Sequence, residues 1–204
     1  MNKMKTILAA VLLFLAACSG SGPDKKYLGM VERSEKAVQQ QELNKTGFFF
    51  DLGVEFPADA ESAFRLFQKM AEKGDPKAQY NLSLMYGEGM GTSLDKRSAA
   101  EWCLKSAEKG LAPSQSNIGQ MYLYGEGVQQ DQRLGAEWMY KAAQQGYPRA
   151  QFNLGNLYRG GTVVKQNYDK AAFWFRQAAG QGMEQASAEL EQMYKEGLAK
   201  RTDK

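Results

Sequence analysis

The stretch Ser114 to Arg149, SQSNIGQMYLYGEGVQQDQRLGAEWMYKAAQQGYPR, decides the fold, because a shift of 36 residues in either direction lands on a recognisable copy of it. Tyr122 falls on Tyr86 and Tyr158, Gly125 on Gly89 and Gly161, and Trp138 on Trp102 and Trp174. Ala143 likewise falls on Ala107 and Ala179, and Gly146 on Gly110 and Gly182. Coincidences at one fixed offset, with no gap, mark an array of a single supersecondary unit in which each copy packs on its neighbours.

Within the unit, Ile118, Met121 and Tyr122 follow the i, i+3, i+4 spacing of one helical face, which predicts a first helix, A. Gly125 and Gly127 break it, since glycine adopts the positive-φ or crowded backbone of a tight turn without strain. Asp131 then stands where an N-cap belongs, and Gly135, Trp138, Ala142 and Ala143 carry a second helical pattern, B, that Gly146 closes as a C′ glycine. No segment reads as a strand.

These residues resemble the Sel1-like repeat family, whose units carry the Leu-Gly, Tyr, Gly-x-Gly, Asp, Ala, Trp and Ala-Ala-x-x-Gly landmarks seen here at Leu154-Gly155, Tyr158, Gly125-Glu126-Gly127, Asp95, Ala99, Trp102 and Ala142 to Gly146. The resemblance implies an all-α fold, a right-handed α-solenoid of helix-turn-helix repeats. Tyr86, Gly89, Trp102, Tyr122, Gly125, Trp138, Tyr158, Gly161 and Trp174 would be its structural positions. Departures are local: Val163 replaces the second loop glycine, Asn167 the capping aspartate and Gly135 a helix-B alanine, and the first two put the conformation of the third loop in question. Shifting the register back once more places Gly47, Phe50, Gly53, Asp59, Ala63, Leu66 and Gly74 on repeat landmarks, a degenerate first unit; Ala186, Leu190, Tyr194 and Gly197 begin a last half-unit. The array is therefore read as residues 42–197, in units 42–77, 78–113, 114–149, 150–185 and 186–197, followed by a basic tail at 198–204.

Upstream, residues 1–17 combine Lys3 and Lys5 with an apolar run from Ile7 to Ala17 that is short for a bilayer span, and read as a signal peptide. The ending Leu15-Ala16-Ala17-Cys18 resembles the lipobox of bacterial lipoproteins, which implies lipid on Cys18; an ordinary secretory signal containing a cysteine is the alternative. Lipidation implies the bacterial periplasm, and Ser19 fits anchoring to the outer membrane. Residues 18–24 would be the lipidated start and tether, and 25–41 an amphipathic capping helix. Of 26 basic residues, loss of Lys3 and Lys5 leaves 24 against 23 acidic ones, so a nearly neutral body gives no support for nucleic-acid binding.

Histidine is absent, which removes the commonest general base and a leading metal ligand, and the composition points to no metal and no cofactor. Cys103, beside Trp102, is read as a small buried hydrophobe. Ser93-Leu94-Asp95-Lys96 matches S-x-x-K and Lys45-Thr46-Gly47 matches K-T-G, but in the reverse of the order found in penicillin-recognising enzymes, and the repeat register accounts for both.

What remains is surface. Gln79, Gln115 and Gln151, and Asn81, Asn117 and Asn153, recur and belong to the repeat itself, whereas helix-A positions that vary are free for a partner. Those are Tyr80, Leu84, Leu123, Tyr124, Phe152 and Arg159, on a face that the resemblance places in the concave groove; for Tyr80 and Phe152, packing between helices is the equal alternative. The expected function is a non-enzymatic, membrane-anchored module binding another protein. An immunity protein that neutralises a secreted toxic effector is the first reading, and an adaptor in envelope assembly or signalling the second. A hydrolase of the cysteine-rich, penicillin-binding branch of the family comes third.

Overall fold

Units 78–113, 114–149 and 150–185 each form two helices packed on one another, and the turn chemistry shows why. The computed structural model describes residues 59–201, all within the second of the two units into which the chain divides, Phe48–Lys204. The signal segment, Cys18, the tether, the 25–41 helix, Lys45-Thr46-Gly47 and the front half of the first repeat lie outside the described residues. The described residues form eight helices and no strand. The B helices are α1 (Ala60–Glu72), α3 (Lys96–Glu108), α5 (Gln132–Gln144) and α7 (Tyr168–Ala179). The A helices are α2 (Pro76–Glu88), α4 (Ala112–Tyr124), α6 (Pro148–Gly160) and α8 (Glu184–Lys195). Each helix packs on its neighbours in the chain, as an α-solenoid requires.

Pro76 and Pro148 occupy the first position of α2 and α6, and Pro113 the second of α4, where a missing N–H costs nothing. These helices consequently start two residues ahead of the unit borders at 78, 114 and 150. At the other end Gly89, Gly125 and Gly161 stand in the left-handed region at φ 68, 74 and 71°. Helix B is then capped by Asp95, whose carboxylate accepts from Arg97 and Ser98 N–H at 3.0 and 3.1 Å, and by Asp131, accepting from Leu134 N–H at 2.9 Å. Asn167 makes the same bond to Lys170 N–H at 2.9 Å, so the amide replaces the carboxylate without loss of the cap. The cap residues also donate their N–H to the carbonyls of Tyr86, Tyr122 and Tyr158 at 2.8, 2.9 and 2.9 Å, which ties both ends of these three A-to-B loops.

The core is a column of side chains one residue beyond the tryptophans. Phe67, Cys103, Met139 and Phe175 share a register position and are all fully buried. Opposite them on helix A stand Ser83, Gly119 and Gly155, so the volumes match: the small Cys103 faces serine, and the large Met139 and Phe175 face glycine. A methyl group on Gly155 would lie 2.6 Å from Phe175 Cε1, well inside contact distance. The same exchange explains Gly135. In unit three Leu123 occupies the place of Gly87 and turns inward, and a methyl on Gly135 would lie 2.8 Å from its Cγ and 2.7 Å from the Gly119 carbonyl oxygen.

Trp102, Trp138 and Trp174 are half-buried rather than enclosed, each flanking the apolar cluster of the preceding unit. Lys105 and Lys141 cover the first two rings at 3.9 and 4.0 Å from the centroids, and Tyr140 and Phe173 meet Trp174 edge-on at 6.0 and 5.0 Å. Between units the recurring glutamines act as staples. Gln79, Gln115 and Gln151 are buried and donate to the last-turn carbonyls of Ala71, Ala107 and Ala143, at 3.1, 3.2 and 3.2 Å, as second donors beside the N–H groups of Gly74, Gly110 and Gly146. Gln145 and Gln181 donate in turn to Gln115 and Gln151 at 2.7 and 2.9 Å.

Two stability measurements follow from this packing. In urea unfolding, Phe175→Ala loses about 3–5 kcal/mol and the adjacent Trp174→Ala roughly half of that, because only the first ring is enclosed; the reverse order would contradict the column. Gly135→Ala loses about 1–3 kcal/mol by overpacking, although alanine is the better helix former by about 1 kcal/mol. A stabilised Gly135→Ala protein would show that the α4–α5 crossing has slack.

Candidate partner-binding face

Helix A presents residues of three units side by side, and between α2 and α4 the surface sinks into a cleft of about 250 Å³. Leu84 and Glu88 of α2, Asn117, Gln120 and Met121 of α4, and Arg149 of α6 line it, with Lys96 and Glu126 at its edge. Charges of both signs face it. Lys96 approaches Glu126 at 3.9 Å, an exposed pair of little energetic weight, and Arg149 donates to Gln120 Oε1 at 3.2 Å. Asn117 donates to the Tyr80 hydroxyl at 3.2 Å, whereas its own Oδ1 is buried with no partner among the described residues. A buried acceptor without a bond carries a penalty of about 1–3 kcal/mol unless water or a ligand supplies a donor.

The candidate contact residues divide. Leu84 lines the cleft, and Tyr124, 71% exposed, stands one turn beyond Gln120 on α4. Tyr80 and Leu123 are corrections: both are buried, Tyr80 beneath Asn117 and Leu123 in the space that Gly135 vacates. Burial pushes the Tyr80 phenol up to about 12. Phe152 is half-buried and packs on Phe175 at 5.7 Å. Arg159 is engaged, bonding Glu189 and lying 3.5 Å from Glu196, and so ties α6 to the closing helix α8. Variation between units marked these positions as free, but at 80, 123 and 159 the variation is matched by a partner inside the protein. Glu88, Lys96, Glu126 and Arg149 escaped notice because exposed charges on repeat helices look like ordinary solvated surface. Their signal is that they converge from three helices and a turn.

Of the described residues that raised the question of catalysis, Cys103 and Asp95 serve structure. Cys103 is fully buried, its thiol donates to the Ser114 carbonyl at 3.4 Å, and burial pushes its pKa up to about 12, the opposite of an activated thiolate. Within Ser93-Leu94-Asp95-Lys96, Asp95 caps α3 and accepts from the Ser98 hydroxyl at 2.6 Å, while Lys96 lies beside Glu126. Among the described residues no cluster of potential metal ligands occurs, and no helix is long and apolar enough to cross a membrane.

Comparison with known proteins agrees with this architecture. The Sel1 repeat family model matches residues 43–75, 76–111, 112–147 and 148–183. Among solved structures, a Sel1 repeat protein from Oxalobacter formigenes is 36% identical with a TM-score of 0.64, over 69% of this chain and 41% of that one. The protein c5321, described as a protective antigen present in uropathogenic Escherichia coli strains and displaying an SLR fold, is 36% identical with a TM-score of 0.69, over 74% of this chain and 32% of that one. The chain thus spans well under half the length of either. The immunity protein PA5088 from Pseudomonas aeruginosa is 26% identical over 61% of this chain and 58% of that one, but its TM-score of 0.31 makes this a likeness of repeat sequence, not of superposition. No curated protein matches the chain. Four matched repeats, the helix pairs they form and the glycine-closed turns between them establish that the chain belongs to the Sel1 repeat family.

Proposed function

We propose that the protein is a non-enzymatic module that binds another protein along its helix-A face while held at a bacterial envelope membrane by lipid on Cys18. The observation that carries this reading is the α2–α4 cleft, where the apolar Leu84 and Met121 and charges of both signs line one surface. Such a wall suits an extended or helical segment whose side chains meet Leu84 and Tyr124. The signal segment and lipobox-like Leu15-Ala16-Ala17-Cys18 support export to the periplasm, with the outer membrane as the anchor site. The partner class we favour is a secreted toxic effector that the protein neutralises, on the resemblance to lipidated Sel1-like immunity proteins; an envelope adaptor would use the same face.

The face can be tested with residues the chain already carries at equivalent positions. Leu84→Gln, Tyr124→Glu and Arg149→Gln copy Gln120, Glu88 and Gln185, so the helices should pack as before. Together they should weaken capture of the partner from envelope extracts by more than about a hundredfold and leave the melting temperature nearly unchanged. Undiminished capture by the folded triple variant would move the binding face elsewhere. For the anchor, Cys18→Ala behind a cleavable secretory signal should release the protein into the soluble periplasmic fraction. Retention in the membrane fraction would contradict lipidation at Cys18.

A further inference from the structure

Of the three A-to-B loops among the described residues, two close against the preceding helix B. Gly91 and Gly127, at φ 67 and 71°, press so tightly on the first residue of that helix that an added methyl would lie 2.1 Å from the Ala60 carbonyl oxygen and 2.0 Å from that of Lys96. The third loop carries Val163 at this position, and the same register assigns it the carbonyl of Gln132. Valine has the Cβ that the other two sites exclude, and among the described residues only glycines take positive φ. The bonds that tighten the first two loops, Met90 N–H to Met85 O at 2.9 Å and Glu126 N–H to Met121 O at 3.0 Å, have no counterpart from Thr162 among the described residues. Beside the third loop, along α5, there is a cleft of about 490 Å³ walled by Leu154, Tyr158, Val163, Val164 and Tyr140.

We propose that this cleft is a second docking site, on the helix-B side of units three and four, for a partner-protein segment that inserts an aromatic or branched aliphatic side chain beside a carboxylate. The apolar walls and the volume set the first requirement. Charge sets the second. At the rim Arg133 is paired with Glu137 at 3.5 Å, whereas Lys141 makes no ion pair among the described residues and is held over the Trp138 ring at 4.0 Å. The rim therefore offers one uncompensated cation, already positioned, to an incoming acid. Outside the cleft the apolar surface continues through Tyr140, 42% exposed, to Trp174 and then Phe173, 46% exposed, with the rings in edge contact. Isolated exposed aromatics are ordinary, but three joined to an open cleft have the make-up of an interface core. The site is separate from the helix-A cleft and holds whether or not that face binds a partner.

The test uses the purified protein, labelled for amide NMR, and a blocked pentapeptide of two phenylalanines flanked by aspartates, with lysine-flanked and serine-flanked counterparts. The aspartate peptide should shift the amides of Ala136, Tyr140, Val163 and Val164, and the lysine peptide should bind roughly fivefold more weakly or less. Val163→Gly, which restores the closing residue, should lower affinity at least about tenfold while keeping or raising the melting temperature. Lys141→Gln, at an exposed position that keeps the fold whatever happens to the loop, should weaken the aspartate peptide roughly fivefold and leave the serine peptide unchanged. Equal binding of the aspartate and lysine peptides, an unaffected Lys141→Gln protein, undiminished binding by Val163→Gly, or shifts confined to Leu84 and Gln120 would each overturn the proposal, as would no shift at millimolar peptide.

Discussion

Where helix A crosses helix B, the residue at 83, 119 and 155 lies against the side chain at 103, 139 and 175, and the two volumes are matched unit by unit. Interiors pack at near-crystalline density, so a methyl group gained on one helix has to be lost on the other. That constraint fixes how closely the helices of a pair approach, and with it the placing of the loops and of the surfaces they leave. The Leu123–Gly135 exchange is the same rule one turn further along, and it shows that the rule tolerates divergence only in pairs.

Between pairs the ties are polar. Buried glutamines reach the final carbonyls of the helix before them, and a second glutamine in the two later units closes the chain of bonds. A hydrogen bond of this kind contributes only about 1 kcal/mol net, and each carbonyl already accepts from the N–H of Gly74, Gly110 or Gly146, so the staples set geometry as much as stability. At the last unit the pattern stops: Ser187 stands where a fourth glutamine would be, and Arg159 with Glu189 and Glu196 supplies an ionic tie instead.

Much of this was legible in the sequence, because caps, turn glycines and period are local signals. Asp95, Asp131 and the C′ glycines read directly, and the Asn167 cap differs from them only in charge. The inward Leu123 and Tyr80 were not legible from the comparison of units alone, since variation at one position looks like freedom until the compensating change opposite is noticed. For Leu123 that signal was present in Gly135; for Tyr80 it was Asn117, a recurring residue whose tyrosine partner does not recur. The enclosed column of Phe67, Cys103, Met139 and Phe175 was legible only at Cys103, because phenylalanine, cysteine and methionine share no chemistry, only enclosure, while the recurring tryptophans beside them drew attention and are half-exposed. The consequence of Val163 required the backbone, because only the contacts of Gly91 and Gly127 with the preceding helix show what a side chain there displaces.

A frame this repetitive puts individuality on its surface, in the mixed-charge cleft between α2 and α4 and in the gap beside Val163. Both depend on helix pairs whose spacing the volume match determines. The most direct test of that match is a double-mutant cycle between Gly155→Ala and Phe175→Leu, read by urea unfolding. The methyl on Gly155 should be costly against the phenylalanine ring, 2.6 Å away, and much less so once leucine has replaced it, giving a favourable coupling of about 0.5–3 kcal/mol. Simple additivity of the two changes would show that the facing volumes are independent and would contradict the account.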